Sequence, residues 1–314
     1  MEKEIKRLSE IYRLSDAQFA AYYKKSIGFL KLGKNPRSRK TLSIVGGQSG
    51  AGKSRLIPIA IQELNGNAVV VDFDELRAWH PHYKEVSDSY LEITHRILHP
   101  DTEKVKNAVL ETLRKEGYNV IYEGALRNTQ GFLDFAKDFK EDDYHITMNI
   151  MSVPKLESYG STFLRYATDL LADLNPRWVE KEAHDGSYDG VVRTVKAFID
   201  QSLSKDIKVY IRGEDAPQKI YSSQERQFEN AISAITYGIE IGRKKAVEDF
   251  PTKFKTVKGI LEDKDPNRLE KIEDWNALYT EELEYFNSLE KMEGNESRWL
   301  IYIYIQHTRM GQIN

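Results

Sequence analysis

The chain has 314 residues, a formal net charge of −3, no cysteine, and 40% hydrophobic against 30% charged residues. This hydrophobic content supports a substantial core, in one large domain or a domain with an appendage. The lack of cysteine excludes disulfides, thiolate catalysis and cysteine-ligated metals, and the small negative charge gives no reason to expect a nucleic-acid partner. The charged N-terminus resembles no signal peptide and no apolar stretch is long enough for a membrane span, so we expect a cytoplasmic protein with no membrane partner.

The N-terminal segment is predicted to be helical. Residues 3–31 carry apolar side chains at helical spacing, which indicates one or two short helices. The basic segment LGKNPRSRK, residues 32–40, follows. It could touch nucleic acid, but we interpret it as a solvated linker to the first strand.

Residues 42–56, LSIVGGQSGAGKSRL, predict a buried strand, a glycine-rich turn and a helix. They match the P-loop pattern, although a chance match in a glycine-containing loop is the alternative. Backbone N–H groups of such a loop surround phosphate, with Lys53 reaching the β and γ phosphates of ATP or GTP and the Ser54 hydroxyl binding Mg²⁺. The predicted nucleotide-binding residues are Gly47, Gln48, Ser49, Gly50, Ala51, Gly52, Lys53 and Ser54.

The chain after the P-loop alternates strands with helices. Near-continuous apolar runs predict strands at 68–74, 118–124, 145–153 and 207–212, and helical spacing predicts helices ending near 64 and covering 102–115, 155–174 and 188–203. This order is typical of an α/β fold with a parallel sheet covered by helices on both faces.

The C-terminal part has a different composition. Beyond residue 221 the segments are charge-rich and helical, apart from WLIYIYIQH at 299–307, which could be a strand or a buried helix. We therefore expect a P-loop domain over 1–224, including the helical N-terminus, and a mainly helical extension over 225–314.

Charged residues follow the predicted strands at the edge where ligands bind in parallel sheets. Asp74 could accept a proton from an attacking hydroxyl or hold Mg²⁺ through water, whereas the alternative is a helix cap; Asp72 is interpreted as structural. Glu123 and Arg127 could grip a sugar hydroxyl and a phosphate, or form a surface ion pair.

Two arginines lie beyond the fourth predicted strand. Arg165 is on the predicted helix 155–174, and Arg177 follows the proline that marks its end. Either could stabilise charge on a transferring phosphoryl group, or could simply be solvated. The seven histidines show no HExxH or comparable metal spacing.

Several stretches together resemble the zeta toxins, P-loop kinases of bacterial toxin–antitoxin systems that phosphorylate UDP-N-acetylglucosamine. They occur in the family's order and cover about residues 40–223, whereas the region beyond 225 shows no match. The stretches are GGQSGAGKS, VVVDFDELRAWHPHY, EGYNVIYEGALRNT, MNIMSVPKLESYGSTFLRY, PRWVEKEAHD and IKVYIRGEDAPQKIYSS.

The resemblance implies a role for each matching residue. Asp74 falls on the base that deprotonates the 3′-hydroxyl of the amino sugar, and Lys53 and Ser54 fall on the phosphate and Mg²⁺ positions. Arg165 and Arg177 fall on the arginines that engage the transferring phosphate. The sugar-contacting positions fall on Glu123 and Arg127. The family also implies a small helical antitoxin that blocks the nucleotide site, and a product that starves cell-wall synthesis.

Two departures concern the acceptor. Ala125 replaces a common threonine, and Asn107 stands where we place a family glutamate that helps to bind the sugar. We expect a kinase for UDP-N-acetylglucosamine. The alternatives are a kinase for another nucleotide sugar, a nucleoside or an antibiotic, or a nucleotide-dependent binding module.

Overall fold

The computed structural model describes residues 2–291 except 173, 175, 205, 226 and 227. The strands in this part are β1 (Thr41–Gly46), β2 (Val69–Val71), β3 (Val120–Gly124), β4 (His145–Met151), β5 (Asp206–Ile211) and β6 (Gln218–Ser222). The helices are α1 (Glu2–Ile11), α2 (Asp16–Leu30), α3 (Ile57–Glu63), α4 (Phe73–Ala78), α5 (Tyr83–Tyr90), α6 (Thr94–Ile97), α7 (His99–Glu116), α8 (Thr129–Glu141), α9 (Lys155–Leu171), α10 (Lys181–Asp200), α11 (Ala231–Lys264) and α12 (Glu273–Lys291). Short 3₁₀ turns cover Lys53–Leu56, Leu91–Ile93 and Pro266–Ile272.

The strands form one mixed sheet in the order β2-β3-β1-β4-β5-β6. β1 is central, with Leu42 opposite Val120 of β3 and Ile146 of β4. The five predicted strands run parallel, which confirms the α/β prediction. β6 was not predicted, and it runs antiparallel to β5 at the sheet edge. Its half-exposed sequence lacks the apolar run that identified the others, because an edge strand has fewer neighbours to bury it.

Both faces of the sheet are covered, which is why the central strands are apolar throughout. Leu42 and Ile44 point into the main core with side chains of α7 and α8, whereas Val45 points to the other face and packs with Leu56 and Ala60. All five side chains are fully buried. The carboxyl ends of β1, β3 and β4 consequently converge at one edge, beside the P-loop.

The second strand ends earlier than predicted. β2 stops at Val71, and Asp72 caps α4 by accepting a hydrogen bond at 2.7 Å from the N–H of Asp74. Asp74 therefore lies in the first turn of α4 and not at the end of a strand. The cap satisfies one of the N–H groups that the first turn of the helix leaves unpaired, as the structural interpretation of Asp72 predicts.

Other element boundaries also shift. The P-loop helix begins with a 3₁₀ turn, α9 ends at Leu171 instead of 174, and α10 begins at Lys181 instead of 188. Such ends depend on tertiary packing more than on periodicity. The N-terminal helix prediction is confirmed by α1 and α2. The hydroxyl of Tyr22 on α2 donates to the carbonyl of Leu76 at 2.6 Å and so supports α4.

The described part of the C-terminal region is helical, as predicted. The first turns of α11 enter the main core, and α9, α11 and α12 share a second core. Trp275 of α12 is buried against Gly160 of α9 and donates its indole N–H to the carbonyl of Leu156 at 3.1 Å. Residues 299–307 lie outside the described residues. Among the described helices, none has the length and apolar character to cross a membrane.

Candidate active site

Three glycines of the P-loop have positive φ angles, namely Gly47 at +155°, Gly50 and Gly52. Gly50 and Gly52 have φ angles of +74° and +89°, in the left-handed region that other residues rarely adopt. A Cβ on Gly50 would lie 2.0 Å from the carbonyl oxygen of Ser158, so the loop packs directly on the backbone of α9.

Two hydrogen bonds to other parts of the chain hold the loop in shape. The buried Gln48 side chain donates to the carbonyl of Val153 at 2.7 Å, and the N–H of Ser49 donates to the hydroxyl of Ser187 at 3.2 Å. The N–H groups of Gly50 and Gly52 donate to no other group in the described residues. Free N–H groups in such a loop are suited to bind an anion.

Arg212 also holds the loop, and sequence reasoning gave it no role. It follows β5, donates to the carbonyls of Gly50 and of Ala51, the latter at 3.3 Å, and bonds Glu157 of α9 at 2.9 Å. Its position at the carboxyl end of a predicted parallel strand was the one signal for it. It joins the P-loop to α9 and β5.

A buried serine–histidine–aspartate array lies behind the loop. His184 Nε2 is 3.0 Å from Ser158 Oγ, and its Nδ1 is 3.4 Å from Asp185 Oδ1. Burial lowers the pKa of His184 to about 4, although Asp185 opposes this. Ser158 and His184 are completely buried, so no substrate reaches the hydroxyl. Ser187 donates to the carbonyl of His184 at 2.7 Å, and the array therefore supports the P-loop.

Two clefts meet beside the P-loop. The α9 cleft, of about 610 Å³, lies between the P-loop, α9 and the β5–β6 connection. The α7 cleft, of about 450 Å³, lies between the P-loop, α4, α7 and the segment after β3. The two clefts share Gly50, Lys53, Glu123 and Arg165. A group held at these residues is accessible from both sides.

The carboxylate of Asp74 stands in the α7 cleft between two guanidinium groups. Arg177 Nη1 lies 2.7 and 2.6 Å from its two oxygens, and Arg77 Nη1 lies 2.6 Å from Oδ1. Burial pushes the pKa of Asp74 upward, but Arg177 and Arg77 outweigh it and hold the pKa below its ordinary value. Asp74 is thus an ionised carboxylate at neutral pH and can accept a proton.

Lys53 and Glu123 face each other at the junction of the clefts, with Lys53 Nζ 3.9 Å from Glu123 Oε1. Burial lowers the pKa of the lysine and raises that of the carboxyl group, and their mutual attraction opposes both shifts. Lys53 also donates to the carbonyl of Gln48 at 3.1 Å. An anionic ligand here would relieve the desolvation of the lysine.

The α7 cleft combines charged groups with aromatic rings. Lys106 Nζ lies 2.7 Å from Glu103 and 5.6 and 5.9 Å from the ring centroids of Phe73 and Tyr122. The ring of Phe132 packs on Tyr122, with centroids 5.8 Å apart. Rings beside cations suit a ligand with a flat aromatic part and negative charge.

The predicted site residues mostly converge. The α7 cleft is lined by Asp74, Lys53, Glu123, Arg127, Arg165 and Arg177, together with Ala125. Of the predicted P-loop residues, Ser49, Gly50, Gly52, Lys53 and Ser54 line the two clefts, whereas Gly47, Gln48 and Ala51 are buried behind them.

Asn107 is not brought to the site. It is exposed on α7, one turn beyond Glu103, and Glu103 lines the cleft instead. Because α7 runs away from the carboxyl edge of the sheet, four residues move a side chain by about 6 Å from the cleft.

Ser54 is the predicted Mg²⁺ ligand. Its residue is exposed in the α9 cleft, and its hydroxyl bonds no other group in the described residues. Within these residues no group of three or more histidine and carboxylate side chains could hold a metal. Mg²⁺ in nucleotide sites keeps several waters and takes its other ligands from phosphates, so one free hydroxyl beside a P-loop fits it.

Comparisons with known proteins agree with this geometry. A family model described as Zeta toxin matches residues 29–226. Toxin zeta of Streptococcus agalactiae is 29% identical over 219 residues, which are 69% of this chain and 75% of the relative. Toxin zeta of Enterococcus hirae is 30% identical over 194 residues, 62% of this chain and 67% of the relative.

A pneumococcal relative links sequence and structure. Toxin PezT of Streptococcus pneumoniae serotype 4 is 28% identical over 219 residues, 69% of this chain and 85% of the relative. A solved structure from the characterization of the PezAT chromosomal toxin–antitoxin system of that species superimposes with a TM-score of 0.69 and 26% identity. That superposition covers 80% of this chain and 99% of the solved one.

Proposed function

This chain belongs to the zeta toxin family. We propose that it is a kinase that transfers the γ-phosphate of ATP or GTP to a hydroxyl group of UDP-N-acetylglucosamine. One observation carries the proposal. An ionised carboxylate, Asp74, lies in the same cleft as three cations that surround the P-loop, namely Lys53, Arg165 and Arg177. A base beside a phosphate-binding cluster is what phosphoryl transfer to a hydroxyl needs.

The nucleotide would occupy the α9 cleft. Its β and γ phosphates would lie on the free N–H groups of Gly50 and Gly52 and on Lys53, and Ser54 would hold Mg²⁺. The metal ion, when bound with the nucleotide, neutralises phosphate charge. Arg165 lines both clefts, so it can contact the phosphoryl group throughout the transfer.

The acceptor would occupy the α7 cleft, where rings and cations suit the uracil base and the diphosphate of a nucleotide sugar. The acceptor hydroxyl, the 3′-hydroxyl of the amino sugar, attacks the γ-phosphorus in line. Its oxygen forms the new bond to phosphorus as the bond to the bridging oxygen of the nucleoside diphosphate breaks, and its proton passes to Asp74. Arg165, Arg177 and Lys53 balance the charge of the transferring group.

The proposal also concerns a partner and a consequence. The relatives are named as toxins, and the superimposed structure comes from a toxin–antitoxin system. We infer a small helical antitoxin that covers the nucleotide cleft of this chain. Phosphorylation of a cell-wall precursor in a bacterial cytoplasm would account for toxicity.

The direct test incubates the protein with Mg-ATP and UDP-N-acetylglucosamine and looks by mass spectrometry for a product heavier by one phosphate. We expect the product with the parent and with Asp200→Asn, a control at an exposed ion pair on α10. We expect at least about a 100-fold lower rate with Asp74→Asn, because general-base groups contribute about that much. No product from the parent, or equal rates in both variants, would contradict the proposal.

A second candidate is a kinase for another small acceptor. Ala125 favours it, because this cleft residue lacks the hydroxyl that the family commonly supplies. The asparagine at position 107 does not favour another acceptor, because Glu103 and not Asn107 lines the cleft. A panel of nucleotide sugars, nucleosides and antibiotics separates the candidates. ATP turnover that no acceptor stimulates would instead favour a nucleotide-dependent binding module.

A further inference from the structure

Arg77 is a second guanidinium on Asp74, and its surroundings differ from those of Arg177. Its Nη1 lies 2.6 Å from Asp74 Oδ1, one helical turn along α4. Its side chain is 9% exposed, whereas that of Arg177 is 43% exposed. The two arginines thus approach the carboxylate from the buried side and from the open side.

Packing holds Arg77 in place. Its guanidinium lies 4.9 Å from the ring centroid of Phe73, and α4 is tied to α2 through the hydrogen bond from Tyr22 to Leu76. Its Nε has no hydrogen-bond partner among the described residues. A buried cation is stabilised by the anion it already contacts, so Arg77 has a strong physical reason to stay on Asp74.

Arg177 has a competing demand. In the proposed reaction it engages the transferring phosphoryl group, yet without ligand it bonds both oxygens of Asp74. Nη1 of Arg177 cannot bond both the Asp74 carboxylate and the transferring phosphoryl group at full hydrogen-bond strength. Because the side chain of Arg177 is exposed whereas that of Arg77 is buried, Arg177 is the arginine that can turn toward the phosphate.

We propose that Arg77 is a positioning residue for Asp74: it holds the carboxylate in place while Arg177 turns to the donor phosphate. This inference rests on the proposed phosphoryl transfer but not on the identity of the acceptor. It divides the two arginines into a permanent partner of the base and an exchangeable one.

Several other charged or titratable groups face Asp74 from the surrounding elements. Those from the P-loop, β3, α6 and α9 are Lys53, Glu123, His95 and Arg165. Burial lowers the pKa of His95 to about 4, so this histidine is neutral at neutral pH but gains a proton in the acid range where Asp74 titrates. Among the described residues, only Arg77 and Arg177 form an ion pair with Asp74 at hydrogen-bond distance.

The test follows the titration of the Asp74 carboxyl carbon by NMR on ¹³C-aspartate-labelled full-length protein, with the signal assigned by its loss in Asp74→Asn. Spectra are taken with and without Mg²⁺ and an ATP analogue that resists hydrolysis. Without nucleotide, Arg77→Met and Arg177→Met should each raise the pKa of Asp74. With nucleotide bound, Arg77→Met should still raise it, whereas Arg177→Met should leave it where the parent has it.

Two further variants sharpen the test. Arg7→Met removes an exposed pair of the same three-residue spacing on α1 and should change no Asp74 titration. Arg77→Lys keeps the positive charge, so it should raise the pKa of Asp74 less than Arg77→Met does. It also provides the measurement if Arg77→Met does not fold. In kinetics, Arg77→Met should lower kcat about tenfold and move its acid limb to higher pH, since hydrogen bonds to charged groups contribute about that much.

The outcomes separate this inference from the proposed function. An unchanged Asp74 titration in nucleotide-bound Arg77→Met and Arg77→Lys overturns the role of Arg77, even if the kinase is active. An inactive protein whose Asp74 titration responds as expected overturns the proposed acceptor and leaves the role of Arg77 supported. If Arg77→Met and Arg177→Met raise the pKa of Asp74 equally in the nucleotide-bound protein, Arg177 does not leave Asp74 for the phosphate and the inference is wrong.

Discussion

The N–H of Ser49 donates a hydrogen bond at 3.2 Å to the hydroxyl of Ser187, across 138 residues of the chain. Ser187 in turn donates to the carbonyl of His184 at 2.7 Å. The P-loop is therefore held at its third residue by α10, in addition to its contacts with α9 and Arg212. Its shape depends on helices that follow it by more than a hundred residues.

The contact between Ser49 and Ser187 predicts an effect on nucleotide binding. In Ser187→Ala we expect a KM for the nucleotide raised about two- to tenfold with kcat little changed, because one net hydrogen bond contributes roughly 0.5–1.5 kcal/mol. Steady-state kinetics measures this. Ser204→Ala, which removes a serine-to-carbonyl bond near the start of β5, is the matched control and should leave KM unchanged. Equal nucleotide KM values in Ser187→Ala and Ser204→Ala would show that Ser187 does not support the P-loop.

Two glycines with similar positive φ angles differ in what surrounds them, so their substitution distinguishes backbone strain from a steric clash. Gly50 and Gly66 have φ angles of +74° and +72°, but a Cβ meets Ser158 at 2.0 Å in the first and open space in the second. We expect Gly66→Ala to cost about 1 kcal/mol of stability and to keep nucleotide affinity. Gly50→Ala should abolish measurable nucleotide binding in calorimetry. Tight binding by Gly50→Ala would mean that the loop does not pack on α9 as described.

The α7 cleft predicts which residue of α7 contacts the acceptor. Glu103→Gln should lower kcat/KM for the acceptor about tenfold, since a charged hydrogen bond contributes roughly 1.5–3 kcal/mol. Asn107→Ala, on the exposed turn beyond it, should leave kcat/KM unchanged. Nucleotide KM serves as the internal control in both variants. The reverse pattern would restore Asn107 as the sugar-binding position.

Arg165 lines the α7 and α9 clefts and also a smaller cleft beside Asp74 and Arg177. Arg165→Met should reduce kcat about 1,000-fold, the lower range for an arginine that stabilises a transferring phosphoryl group. Arg193→Met, an arginine on α10 outside these clefts, is the control and should retain activity. A change confined to nucleotide KM would assign Arg165 to binding alone.

Buried histidines predict a pH-dependent stability. Burial lowers the pKa of His80, His95 and His184 to about 4, against 6.5 for the ordinary group. Between these values the unfolded chain binds more protons, so stability is present above pH 6.5 and is lost as pH falls toward 4, by about 3 kcal/mol at most per histidine. Thermal unfolding between pH 7 and 4.5 measures it. His184→Gln should flatten the curve, and an unchanged slope would show that His184 does not titrate as a buried group.

Local pattern was sufficient for the P-loop and for five strands. The P-loop is contiguous and its glycines have a steric requirement, while apolar runs identify strands that are buried on both faces. Asp74, Glu123 and Arg127 could be selected because parallel strands bring their carboxyl ends to one edge. The edge strand β6, the exact ends of α9 and α10, and the start of α4 at Phe73 depend on packing that periodicity does not describe.

The sequence by itself determined the phosphate loop, the α/β architecture and the set of charged residues that could act beside it. Only the tertiary structure decided which of them meet. It joined Arg177 to Asp74 across 103 residues, introduced Arg77, Arg212 and Ser187, and replaced Asn107 by Glu103. The physical reason is that a backbone motif is specified by neighbouring residues, whereas a contact between side chains depends on helix orientation, helix ends and burial, which the whole fold sets.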